Sequence, residues 1–202
     1  MARIVGPSGR AVGIDISEAM LAEARKRAAG MSLPIEIQKG DIYTLPFKPS
    51  AFAATRAERV FEHLERPEAA LAELLRVTKL GGRIVAISPD VDCQAYEVID
   101  RSFTRKLIHS NCDARTNGWA GRQLYGLFAQ AGMRDITCSV FTHVVTNLTN
   151  PTATSTLKTS IARALRLGDI SEAESEAALD YLGKQDDVFF ATPWFLVSGT
   201  KQ

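Results

Sequence analysis

The stretch Val12-Gly13-Ile14-Asp15-Ile16-Ser17 is an apolar run that ends in a single carboxylate and passes at once into an amphipathic helix. Gly40-Asp41-Ile42 then closes a second short alternating run, Ile35-Glu36-Ile37-Gln38. Strand, helix, strand with an acidic residue at each strand's end constrains the chain strongly. It calls for a parallel α/β sheet, whose ligands bind beyond the carboxyl ends of the strands. A carboxylate at such an end can accept both hydroxyls of a ribose. Asp15 also has a plainer reading as a helix-capping residue beside Ser17, and Asp41 as an ordinary turn residue.

The alternation continues downstream. Ser17 caps a helix that carries Met20, Leu21, Ala24 and Ala28 at helical spacing and stops at Gly30. Phe52 to Arg59 reads as a third strand, although Arg56, Glu58 and Arg59 make it polar for a buried one. Pro67 opens a helix striped by Ala70, Leu71, Leu74 and Leu75, which is expected to end at Gly81-Gly82 before the strand Ile84 to Ile87. Val98 to Ser110 and Arg122 to Ala131 are helical. Ile136 to Val145 alternates as a long strand, and Thr154 to Leu167 is a helix. Ser171-Glu172-Ala173-Glu174 is a capping box, and Phe189 to Thr200 is a last strand. A helical pair between the last two strands predicts an antiparallel end on a mostly parallel sheet.

At 202 residues the chain is expected to form one domain, 1–202, with a connection at 92–120 and a helical insertion at 148–185. Its net charge of +1 is spread without a basic face, which argues against nucleic acid as a partner. No apolar run is long enough to span a bilayer, and residues 1–11 have no leader-like apolar core. Cys93, Cys112 and Cys138 are odd in number and widely spaced, so they fit neither a metal site nor a disulfide framework. Reduced thiols in a cytoplasmic protein are the expectation.

Several segments in this order resemble the class I S-adenosylmethionine-dependent methyltransferases, and within them the small-molecule enzymes with a type 11 domain. They are Gly9 to Leu21, Gly40-Asp41-Ile42, Leu45-Pro46-Phe47, Arg59-Val60-Phe61-Glu62-His63-Leu64 and Glu73 to Arg83. The last resembles a helix ending in R-V-L-K-P-G-G, from which Thr78 and Leu80 depart. The resemblance covers roughly residues 4 to 145 and implies a Rossmann-like sheet with an antiparallel C-terminal strand. It implies S-adenosylmethionine as cofactor and a small-molecule acceptor. Asp15 would hold the ribose and Asp41 the adenine amino group. Ile16, Met20 and Ile42 would pack on the adenine, and Ala57 and Glu58 would lie near the methionine part. His63 and Asp90 are the candidate catalytic bases; both also have structural readings, as do Asp92, Arg56 and Arg59.

The chain departs from the family at its start. The family's first strand and G-x-G-x-G turn have no counterpart before Val12, and that strand is central in the family's sheet. Three accounts fit: a shortened reading frame, which is favoured; a partner chain, such as a homo-oligomer, that completes the sheet; or a sheet closed over a dead site. The alternative functions are therefore an inactive binding or assembly module, and a cyclase or isomerase built on the same fold.

Overall fold

The computed structural model describes residues 2–6, 8–31, 34–147, 151–185 and 187–202. A four-residue helix α1 (Ala2–Val5) precedes β1 (Ala11–Asp15), α2 (Glu18–Ala29), β2 (Ile35–Lys39) and β3 (Phe52–Glu58). After a single 3-10 turn at Phe61–His63 come α3 (Pro67–Val77), β4 (Thr78–Pro89), the two-residue β5 (Ala95–Tyr96), α4 (Arg101–Asp113) and α5 (Ala120–Gln130). The chain ends with β6 (Arg134–Asn147), α6 (Pro151–Leu167), α7 (Glu172–Gly183) and β7 (Asp187–Thr200).

Strands β1 and β2 form a parallel pair, Asp15 opposite Lys39, and stand apart as a two-stranded sheet. The second sheet runs β3-β4-β7, with β6 on the far side of β7 and β5 continuing the line of β4. β3 is parallel to β4, and β7 is antiparallel to β4, β5 and β6. This is the predicted α/β arrangement with an antiparallel C-terminal end. Among the described residues, β1 and β3 each keep one edge without a strand partner. The polar character of β3 follows from that position: Arg56 and Glu58 pair with each other on an exposed face instead of packing in a core.

Two cores result. In one, α3 (Ala70, Leu71, Leu74) and α5 (Leu124, Phe128) cover one face of the larger sheet at Ala57, Ile84, Ala86 and Val197. In the other, α4, α6 and α7 close over Val145 of β6 and Phe190 of β7 through Leu107, Ile161 and Ala178. Because side chains alternate along a strand, Val85 and Ile87 point to the face opposite Ile84 and Ala86. Leu196 lies opposite Ile87 there, and Trp194 stacks on Phe141.

The local signals act as expected at most ends. Ser17 Oγ accepts from the Met20 N–H, and Ser171 and Glu174 complete a reciprocal capping box. One boundary is corrected. The helix beginning at Pro67 ends at Val77, not at Gly81-Gly82, and Thr78 already belongs to β4. Thr78 Oγ1 donates to the Leu74 carbonyl at 2.6 Å, and Lys201 Nζ donates to the carbonyls of Leu75 and Thr78 at 2.6 and 2.8 Å. These donors satisfy the last helical carbonyls from outside the helix, so no glycine stop is required. Gly81, at φ +72°, is used inside β4.

Candidate active site

Asp15 and Asp41 meet at the carboxyl ends of adjacent strands. The Gly40 N–H donates to the Asp15 carbonyl at 3.1 Å, which brings the chain over the end of β1. Gly40 suits this crossing because a Cβ there would lie 2.8 Å from Ile14 Cγ2. Asp15 Oδ1 accepts from the Ser17 N–H at 2.8 Å, and Asp41 Oδ1 from the Tyr43 N–H at 2.9 Å. Each carboxylate is thus fixed through one oxygen by its own loop. The second oxygen of each has no protein donor among the described residues. Beside them Ile16 and Met20 are 67% and 57% exposed, a small apolar shelf next to two carboxylates.

The other candidates are distributed differently. Ile42 packs against the core under α3 together with Tyr43 and Leu45. The Ala57 side chain is 3% exposed and faces that same core, so only its main chain lines the sheet's end. Glu58 is exposed and engaged by Arg56. Two groups therefore emerge: Asp15, Ile16, Met20 and Asp41 on the β1–β2 unit, and Ala57, Glu58, His63 and Asp90 at the carboxyl ends of β3 and β4.

Around the second group the charges are firmly held. Asp90 is fully buried and forms a two-point ion pair with Arg122 of α5, while its Oδ1 also accepts from the Cys93 N–H. Arg122 reaches Asp92 at 3.2 Å and lies over the Trp119 ring. Glu62 is 2% exposed; its Oε2 accepts from Ser88 Oγ at 2.5 Å, and its carbonyl accepts from the Asn117 N–H. His63 is well exposed, with Nε2 3.9 Å from Glu62 Oε1. Burial, with the nearby Asp90 charge, pushes the Cys93 thiol up.

Sequence reasoning missed Arg122 and Ser88. Nothing in their spacing relates them to Asp90 and Glu62, since the contacts join α5 and β4 to distant turns. The loop Leu45-Pro46-Phe47 is tied down by the Glu73 to Arg83 segment. The Leu45 N–H donates to Glu73 Oε2 at 2.8 Å, and Arg76 donates to the carbonyls of Phe47 and Leu45 at 2.7 and 2.9 Å.

Residues 1–86 match the family model described as a methyltransferase domain. Over 186 residues the chain is 34% identical to an uncharacterized 37.1 kDa protein in transposon TN4556 of Streptomyces fradiae, covering 90% of this chain and 53% of that protein. It is 32% identical over 103 residues to a demethylmenaquinone methyltransferase of Thermus thermophilus, covering 50% of this chain and 47% of that one. The chain thus spans about half the length of these curated relatives. Its fold matches a Haemonchus contortus phosphoethanolamine N-methyltransferase solved with S-adenosyl-L-methionine, with a TM-score of 0.55 and 18% identity over 94% of this chain and 43% of that one. S-adenosylmethionine is the cofactor that this family and fold imply. The chain therefore has the fold of the class I S-adenosylmethionine-dependent methyltransferases, and its first 86 residues are similar to the methyltransferase-domain family model.

Proposed function

We propose that this chain transfers a methyl group from S-adenosylmethionine to an oxygen, nitrogen or carbon nucleophile of a small molecule. The observation that carries the reading is the pairing of Asp15 with Asp41 at adjacent strand ends, beside exposed Ile16 and Met20. This donor set fits the nucleoside half of the cofactor. The free oxygen of Asp15 accepts the ribose hydroxyls, Asp41 accepts from the adenine amino group, and Ile16 and Met20 cover a ring face. Ile42 backs this wall from the core side. At the methionine end, Ala57 offers only its main chain, and Glu58 stays available through its exposed pair with Arg56.

The cofactor, when bound, supplies a methyl group already activated by a sulfonium, so positioning and desolvation of the acceptor account for most of the rate. His63, exposed at the carboxyl end of β3, takes the acceptor proton where one must leave. Asp90 acts by position in this reading: its buried carboxylate fixes Arg122 and, through it, the wall formed by Trp119 and Asp92. The chain works as one domain, with residues 92–120 and the helices of 148–185 over the acceptor. Three unpaired thiols support a reducing, cytoplasmic setting.

The edges of β1 and β3 that lack a strand partner among the described residues support a homo-oligomer that covers them. The test of function is a methyl-transfer and thermal-shift assay on the whole chain. S-adenosylhomocysteine should raise the melting temperature, and product should form only when S-adenosylmethionine is present. A melting temperature unmoved by the cofactor favours the inactive module. Product formed equally without cofactor favours a cyclase or isomerase.

A further inference from the structure

Two half-buried arginines without a counter-charge among the described residues lie beside the second core. Arg115 follows α4, and Arg163 lies on α6, which packs against α4. Neither forms an ion pair with any described carboxylate, unlike Arg76 with Glu73 and Arg122 with Asp90. Arg163 Nη1 makes only a long contact of 3.5 Å to Asn111 Oδ1. Arg115 Nε is buried and has no acceptor at all, and Ser110 Oγ, in a residue 3% exposed, is equally without a partner.

Arg115 and Arg163 flank one polar chain. Asn111 Nδ2 donates to Tyr96 Oη at 3.2 Å, Tyr96 Oη donates to Gln94, and Gln94 Nε2 donates to Thr192 Oγ1 at 2.9 Å. Burial pushes the Tyr96 phenol up to about 12, against the Asn111 hydrogen bond and the positive charges of Arg115 and Arg163. Thr192 precedes Pro193, whose carbonyl accepts from the Asp90 N–H at the carboxyl end of β4. The network therefore lies beyond the strand ends where ligands of α/β sheets bind.

Unsatisfied buried donors such as Arg115 Nε are costly, and proteins keep them where a ligand completes them. We propose that Arg115 and Arg163, with Ser110 and Asn111, form an oxyanion subsite that holds a carboxylate or phosphoryl group of the methyl acceptor. Guanidinium groups suit such groups because their paired N–H donors match two oxygens at once. The assignment of the bound group to the acceptor rests on the methyl-transfer reading; the anion site itself does not.

Titration calorimetry of the full chain, without cofactor, with inorganic phosphate and separately with acetate tests the site. Binding of either anion is expected, weakened at least about tenfold in R115Q and in R163Q and unchanged in R27Q, on the exposed face of α2. Tighter binding of phosphate than acetate marks a phosphoryl subsite, and the reverse order a carboxylate subsite. Wild-type protein silent to both anions overturns the proposal, whether or not the variants fold. Binding that survives in folded R115Q and R163Q overturns it too. S-adenosylhomocysteine titrated into the same samples separates the two readings. Cofactor binding without anion binding removes the subsite alone, whereas anion binding without cofactor binding retains the subsite and removes the methyl-transfer reading.

Discussion

The Arg76 guanidinium grips the Glu73 carboxylate one turn earlier on α3, with Nε 2.6 Å from Oε1, and spends its remaining donors on the carbonyls of Leu45 and Phe47. This pair links a helix to the loop that follows Asp41, so it sets the wall of the candidate cofactor site. Arg76 holds the Glu73 carboxyl below its ordinary value of 4.5. A depressed carboxylate contributes stability that is present above its unfolded pKa and lost as pH falls through the folded one. The melting temperature should therefore be steady near neutrality and fall below about pH 4.5. In E73Q that acid limb should be shallower. An identical limb in wild type and E73Q would contradict this.

Replacing Arg76 by Met removes the charge while keeping much of the stem. A loss of about 1–3 kcal/mol in chemical denaturation is expected, because the Leu45 and Phe47 carbonyls lose their donor. Cofactor affinity should fall with it, through the loop. Unchanged stability would mean that the loop holds its place without the arginine.

Asp15→Ala should weaken S-adenosylhomocysteine binding by about 1.5–3 kcal/mol, the range for a hydrogen bond to a charged group. Calorimetry on the folded variant reads this directly. Wild-type affinity in D15A would remove Asp15 from the ribose role.

His63→Ala should lower kcat by about a hundredfold or more and leave cofactor affinity unchanged, for an acceptor whose proton must leave. The split between kcat and cofactor Kd is the informative readout. A change in cofactor affinity alone would assign His63 to structure.

The parallel–antiparallel plan was legible because each β1-to-β4 segment carries its own period and its own stop. Ser17, Gly30, Pro67 and the Ser171–Glu174 box all stand where the helices begin or end. The end of α3 was not legible. Its carbonyls are satisfied by Lys201, a residue from the other end of the chain, so the helix needs no local stop. β5 is two residues long and exists only as a continuation along β7. The positions of Asp15 and Asp41 at the ends of β1 and β2 could be read because each closes its strand's own period. Arg122 could not, because its contacts with Asp90 and Asp92 join α5 to the loop after β4.

The uncovered edges make an oligomer measurable. Light scattering at micromolar concentration should give a mass at least twice 22.0 kDa. A monodisperse monomer would show that β1 and β3 remain open in solution.

Asp15 and Asp41 are the proposed hold of this chain on S-adenosylmethionine. Isothermal titration of the 202-residue chain with S-adenosylhomocysteine tests it most directly. Saturable binding near micromolar affinity is expected. No heat of binding from a chain shown to be folded would contradict it.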